Sequence, residues 1–325
     1  MSDGVTIGPA GTVGPAGDPG SRRVAAPACV HGGLAVYDLG AGPPLLVMPN
    51  PQGMVRAPEA CGPLVELLLG LGRRVVTFDP PGAFASPRPP RLGLEEMLAC
   101  SQEALKAVGV PTPVDVVGHS QASLCQLALT LSHPEVVRSL VLIGAVDGGW
   151  RATHRARGMP WCWPLTDRRF WQFAALATPL AVGRSNLRRL KRLQRLFTEA
   201  SFVDPDLAPV IQIQPGDEQR PPPCRARWQA SVRAVDLRVR LGEITVPSLV
   251  CVGRHDPQTP WPSNAEIAAV LSAGRLEVFE RSGHYPYVEE PDHFAAVASG
   301  FLSSVARLKR GQFQRDGAVR RATKS

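Results

Sequence analysis

The segment Pro113-Val114-Asp115-Val116-Val117-Gly118-His119-Ser120-Gln121-Ala122 is where this chain can do covalent chemistry. An apolar run ends at Gly118, a serine stands two residues later, and a helix-like stretch from Ala122 to Ser132 follows. A G-x-S-x-small segment between strand and helix puts a serine hydroxyl on a sharp, strained turn, exposed as a nucleophile. Gly118 and Ala122 are small because strand and helix must pass close together around that turn. A serine hydroxyl is a weak nucleophile at neutral pH; it needs a histidine to take its proton and an acid to orient the histidine. Two later loops offer these groups: Gly253-Arg254-His255-Asp256-Pro257 and Glu280-Arg281-Ser282-Gly283-His284-Tyr285-Pro286. His284 is the expected base. Asp256 is the expected acid, although a simple turn cap would look the same in sequence, and Asp147 is the alternative. His119 is read as packing against or orienting the nucleophile. His255, His284 and His293 have no ligand spacing, so neither a metal nor any other cofactor is expected.

These groups need a frame. Short apolar strands are expected at Leu45–Met48, Arg74–Phe78, Val114–Val117, Ser139–Ile143, Ser248–Val252 and Leu276–Phe279, with a hairpin over Cys29–Leu39 turning at Gly32-Gly33. Helical spacing covers Leu94–Val108, and a further helix runs from about Asp292 to Leu308. Continuous apolar strands alternating with helices imply an α/β fold: a mostly parallel central sheet with helices on both faces. Each polar candidate then stands where a parallel strand ends, at the carboxyl edge where sites of such sheets gather.

Trp150 to about Val235 holds no convincing strand but has helical stretches, prolines and five of the six tryptophans. It is read as a helical lid over 150–235, inserted into a core of 24–149 and 236–308. Trp161, Phe170 and Trp171 in it, with Tyr285 beside His284, are the expected lining of a site for a small, partly apolar substrate. Leu187, Leu190, Leu193 and Phe197 form an apolar stripe, with Arg188, Arg189, Lys191, Arg192 and Arg195 at the other positions. Such a basic face is either simply solvated or attracts an acidic partner, such as an acyl carrier protein, or an anionic substrate.

Charge is unevenly placed. The net +8 comes from +9 over Arg151–Val235 and +6 over Arg307–Ser325, leaving the rest at −7. An acidic body, and arginines without interleaved aromatics on a binding motif, argue against a nucleic-acid partner. Residues 1–23 are Gly/Pro-rich and 309–325 basic; both are expected to be tails. Seven scattered cysteines without C-x-x-C spacing suggest a reducing, cytoplasmic setting. No apolar run suits a membrane span and no signal-peptide core is apparent.

The chain resembles the α/β-hydrolases with a lid, in the proline-iminopeptidase, esterase and epoxide-hydrolase branch. The resemblance spans roughly Cys29 to Leu308. It rests on Asp79-Pro80-Pro81-Gly82-Ala83-Phe84-Ala85-Ser86, Gly118-His119-Ser120-Gln121-Ala122-Ser123, Pro134-Glu135-Val136-Val137-Arg138-Ser139-Leu140-Val141-Leu142, Gly253-Arg254-His255-Asp256 and Gly283-His284. The order Ser120, Asp256, His284 is that family's order of nucleophile, acid and base. The resemblance implies that the Gln121 amide is one oxyanion donor. The chain departs from the family in two places. Ala122-Ser123 stands where Gly-Gly is common, and Pro49-Asn50-Pro51 stands where a His-Gly-x segment would supply a second oxyanion amide. Proline has no N–H to give, so the second donor is expected from the Asn50 side chain or the Gln52 amide. The implied activity is serine hydrolysis of an ester, thioester or amide through an acyl-enzyme on Ser120. The altered loop leaves open a cyclase, lyase or isomerase of secondary metabolism that uses the same groups for proton transfer, or a non-catalytic ligand binder.

Overall fold

The structure is a computed structural model that describes residues 26–50, 62–87, 93–148, 163–181, 187–211, 228, 230–232 and 234–307. The expected tails 1–23 and 309–325, together with Gln52 and Trp161, lie outside the described residues.

Eight strands form one sheet in the order β1-β2-β4-β3-β5-β6-β7-β8. They are β1 (Cys29–His31), β2 (Leu34–Leu39), β3 (Pro44–Val47), β4 (Arg74–Phe78), β5 (Val114–His119), β6 (Val137–Ile143), β7 (Ser248–Gly253) and β8 (Gly274–Phe279). β1 and β2 form the expected hairpin, and β2 pairs antiparallel with β4. From β4 through β3 and β5 to β8, every pairing is parallel.

Because side chains alternate along a strand, each apolar run feeds two cores. Leu46, Val76, Val116, Leu140, Leu142 and Val250 face one side. Leu45, Val75, Val117, Val141, Ile143 and Leu249 face the other. The first side is covered by α2 (Leu94–Ala107), α3 (Gln121–Ser132) and α6 (Trp261–Val270), through Met97, Leu105, Leu124, Leu127 and Ile267. The second is covered by α1 (Gly62–Gly70) and α8 (Pro291–Arg307), through Leu64, Leu68, Phe294, Phe301 and Leu302. Burial on both faces is why these strands read as unbroken Val/Leu/Ile runs. Between β6 and β7 lie α4 (Arg168–Ala181) and α5 (Leu187–Glu199); α7 (Pro286–Glu289) follows β8.

One buried charged residue interrupts the apolar pattern of the strands. Asp115, in β5 near the amino edge of the sheet, is buried and ringed by donors. Arg73 Nη2 (2.5 Å), Arg138 Nε (2.8 Å) and Nη2 (2.7 Å) and the Ser139 hydroxyl (2.8 Å) all donate to it. A buried carboxylate needs such partners, and this network stands at the sheet edge opposite the one where Ser120 emerges.

Candidate active site

Ser120 connects β5 to α3 with φ 56° and ψ −125°, a left-handed conformation that is costly for a residue with a Cβ. Several bonds hold it there. Its N–H donates to the Ile143 carbonyl at 2.8 Å, and its own carbonyl accepts from the Ser123 N–H at 2.9 Å and the Ser123 hydroxyl at 2.6 Å. The Ser123 Oγ in turn accepts from the Val146 N–H at 2.7 Å. The serine that replaces a common glycine thus ties the elbow to the loop after β6. Ala122 also fits: a Cβ built on Gly118 would meet the Ala122 Cβ at 3.2 Å and the Gln126 amide oxygen at 2.7 Å, so the close passage depends on Gly118.

Asp256 and His284 come together. His284 Nδ1 lies 2.7 Å from Asp256 Oδ2, and both side chains are almost wholly buried. Asp256 Oδ2 also accepts from the Thr259 hydroxyl (2.7 Å), while Oδ1 accepts from the Gln258 and Thr259 amides (both 2.8 Å). Asp256 thus caps its own turn and faces the His284 imidazole at the same time. Burial alone would raise the Asp256 carboxyl, but the His284 charge and the donated bonds outweigh it and hold it below the usual carboxylate range. An ionised carboxylate only accepts, so Nδ1 carries the proton and Nε2 is left as the acceptor a general base needs. The carbonyl of Asp147, the alternative acid, accepts from the Leu237 N–H, beside the Gly148–Asp236 bridge, and its charge acts on Arg238.

Gly144 makes room for the imidazole. It follows Ile143, the residue that accepts from Ser120, and has φ 54°. A Cβ there would lie 3.1 Å from His284 Cε1 and 3.2 Å from Nδ1. Ser120 and His284 thus flank the same turn after β6.

His119 packs against the loop that carries His284. Its Nε2 lies 2.8 Å from the His284 carbonyl oxygen, which can only accept, so Nε2 carries the proton. The ring packs against those of His284, Tyr285 and Tyr287. Desolvation first, and then the neighbouring His284 charge, push its pKa down to about 3, so it stays neutral. It orients the base loop.

At the head of α3, the Gln121 N–H has no intrahelical carbonyl to reach and is available to a ligand. The Gln121 side-chain oxygen accepts from the buried Trp228 indole N–H at 3.0 Å. The pairing of β3 with β5 continues through Met48 N–H to the Val117 carbonyl, so half-buried Asn50 lies just beyond, at the same sheet edge. Tyr285 stacks on Phe202, with centroids 4.7 Å apart. Phe170 meets Trp171 edge-on, and the exposed Trp171 donates its indole N–H to the Leu165 carbonyl.

Sequence reasoning missed the groups that lock these loops in place. The Ser201 carbonyl, just past α5, accepts from the His284 N–H at 2.7 Å, and its hydroxyl accepts from the Gln258 amide at 2.7 Å. Glu289 accepts from the Val203 N–H through one oxygen and from the Gly283 N–H through the other, both at 2.7 Å. Burial is the leading influence on Glu289 and leaves its carboxyl above the ordinary value despite those bonds. Backbone contacts of this kind leave no side-chain signature, although the acidic pair Glu289-Glu290 ahead of Pro291 was a visible cue.

The family model of the alpha/beta hydrolase fold matches residues 29–291. The chain belongs to the α/β-hydrolase family. Among curated relatives, a 2-hydroxymuconate semialdehyde hydrolase of Pseudomonas sp. (strain CF600) is 27% identical over 279 residues, covering 82% of this chain and 89% of the relative. A proline iminopeptidase of Heyndrickxia coagulans is 25% identical over 287 residues, covering 82% and 92%. Among solved structures, an esterase from Exiguobacterium antarcticum superposes with TM-score 0.60 at 22% identity, covering 84% of this chain and 95% of that one. The family and the hydrolases among its relatives make this α/β-hydrolase an enzyme with hydrolase activity. Among the described residues of this α/β-hydrolase, no helix is long and apolar enough to cross a membrane.

Proposed function

We propose that this α/β-hydrolase cleaves an ester, thioester or amide of a small, partly apolar substrate through an acyl-enzyme on Ser120. The observation that carries the reading is the 2.7 Å contact of His284 Nδ1 with a buried, multiply bonded Asp256, beside a serine held at φ 56°. In this reading His284 Nε2 takes the Ser120 hydroxyl proton as the oxygen attacks the substrate carbonyl carbon. The Gln121 N–H, with a second donor from Asn50 or Gln52, faces the oxygen that gains negative charge. The imidazolium then gives its proton to the leaving group, the carbonyl re-forms and Ser120 is left acylated. Water, deprotonated by His284, attacks the acyl carbon; the acid departs and Ser120 recovers its proton. Asp256 stays ionised and stabilises the imidazolium at both steps.

The stretch between β6 and β7 would act as a lid, with Phe170 and Trp171 of that stretch, and Tyr285 beside His284, serving the apolar part of the substrate. The arginines of α5 support an acidic partner, such as a carrier protein bearing the acyl group. Arg188, Arg192 and Arg195 are exposed there, and Arg195 pairs with Glu199.

Hydrolysis of p-nitrophenyl esters of increasing chain length tests the reading. Ser120→Ala is expected to retain less than about 1% of wild-type turnover, in line with the loss of a triad nucleophile, while its circular dichroism matches wild type. Retention of most of the activity would exclude covalent catalysis by Ser120.

A further inference from the structure

The base loop, 280–284, is gripped by two consecutive carboxylates. Glu290 Oε2 accepts from the Arg281 N–H at 2.9 Å and the Ser282 hydroxyl at 2.7 Å. Glu289 Oε2 accepts from the next amide, Gly283, while its Oε1 reaches across to the Val203 N–H. Val203 belongs to the stretch between β6 and β7, two residues past Ser201, whose carbonyl receives the His284 N–H. The two segments are in tight contact: a Cβ on Gly283 would lie 2.3 Å from the Ser201 carbonyl oxygen. Glu289 and Ser201 are therefore points at which the segment after α5 is bonded to the residues that carry the imidazole. Ser201 contributes a backbone carbonyl that no substitution removes. Glu289 contributes a side chain.

We infer that Glu289 is a positioning residue for the catalytic base: by bridging the Gly283 and Val203 amides it fixes His284 against the end of α5, so that the placement of the base depends on how that segment is seated. The inference rests on the reading of Ser120 and His284 given above. Without the bridge, two amides lose their acceptor and the loop before His284 gains freedom, while the Asp256 contact remains. Misplacement of a catalytic group by about 1 Å can cost on the order of 10²-fold in rate. The loss falls on the proton-transfer step, so it appears in kcat and leaves KM nearly unchanged.

The test uses the full-length protein and an activated fluorophosphonate, whose reaction with Ser120 depends on the base. Labelling rates, kcat and KM on a p-nitrophenyl ester are compared for wild type, Glu289→Ala and Glu289→Gln, each corrected for folded fraction. Glu289→Ala is expected to label about 10- to 100-fold more slowly, with kcat reduced in parallel and KM within about threefold of wild type. Glu289→Gln keeps one amide-accepting oxygen and is expected to fall between them, a graded rescue that loss of fold would not produce. If wild type labels and a folded Glu289→Ala labels within about threefold of it, the inference is overturned. If Glu289→Ala does not fold, Glu289→Gln decides by the same threshold, parity overturning the inference. Failure of wild type itself to label overturns the serine–histidine reading, and the inference falls with it.

Discussion

Gly144 lies directly against His284: the space its side chain would fill is taken by the imidazole edge, 3.1 Å from where a Cβ would stand. The same glycine has φ 54° and follows the residue that accepts the Ser120 N–H. One small residue thus lies between the carbonyl that receives the Ser120 N–H and the His284 ring. Gly144→Ala would strain the backbone and press on His284 and the Thr259 hydroxyl, which lies 2.9 Å from that Cβ position and itself donates to Asp256. The expected outcome is a loss of about 10²-fold in kcat/KM, with a smaller loss of thermal stability. Steady-state kinetics and a melting curve on the same preparation check it.

Asp256→Asn replaces a pure acceptor with an amide that can present NH₂ to Nδ1. The imidazole would then turn to the tautomer that leaves no acceptor toward Ser120, and a loss on the order of 10⁴ in kcat is expected. Turnover within tenfold of wild type would remove Asp256 from the mechanism.

The same carboxylate has a signature in stability. Its folded-state pKa lies below the ordinary value, because the His284 charge and the donated bonds overcome the opposing effect of burial. Its contribution is therefore fully present above the unfolded-state pKa and is lost as pH falls through the folded one. Urea midpoints measured from about pH 7 down to about pH 3, across the carboxylate range, should show the gap between wild type and Asp256→Asn narrowing as the solution is acidified. Glu289, whose pKa is raised mainly by burial, contributes with the opposite sign: its share is lost as pH rises through its folded value.

Trp228→Phe removes the indole N–H that holds the Gln121 side chain at 3.0 Å but keeps an aromatic ring in the core. One neutral hydrogen bond contributes about 0.5–1.5 kcal/mol. A fall in kcat/KM of up to roughly tenfold is therefore expected, with Ser120 still reactive toward a phosphonate.

Asp115→Ala probes the opposite sheet edge. It leaves the buried Arg73 and the half-buried Arg138 without the carboxylate they share. A loss of about 3 kcal/mol in urea-unfolding free energy is expected. Because the network is remote from Ser120, kcat/KM of the folded fraction should stay at the wild-type level.

How far the sequence revealed all this follows from where each residue sits. The parallel strands were legible because burial on both faces leaves continuous apolar runs; β4 begins and ends at the expected residues. β6 starts two residues earlier than expected, because Val137 and Arg138 continue the strand while Arg138 turns to Asp115. α1 and α6 escaped notice for a physical reason. Gly62–Gly70 is almost wholly apolar and Trp261–Val270 has no clear apolar stripe, so neither shows helical periodicity. Ser120, Asp256 and His284 were visible because a strand–turn–helix and two strand-end loops mark them. Ser201 was not, because its part is played by a backbone carbonyl that any residue type supplies. His119 was noticed beside Ser120, but its bond to the His284 carbonyl was not visible, because its acceptor is a backbone group far along the chain.

The central claim is that Ser120 is a nucleophile activated by His284. Its most direct measurement is peptide-mapped mass spectrometry after treating the folded enzyme with an activated fluorophosphonate. The account predicts one adduct per chain, on Ser120, absent in Ser120→Ala and formed far more slowly in His284→Ala. An unlabelled wild-type protein, an adduct on another residue, or equal labelling in the His284 variant would contradict it.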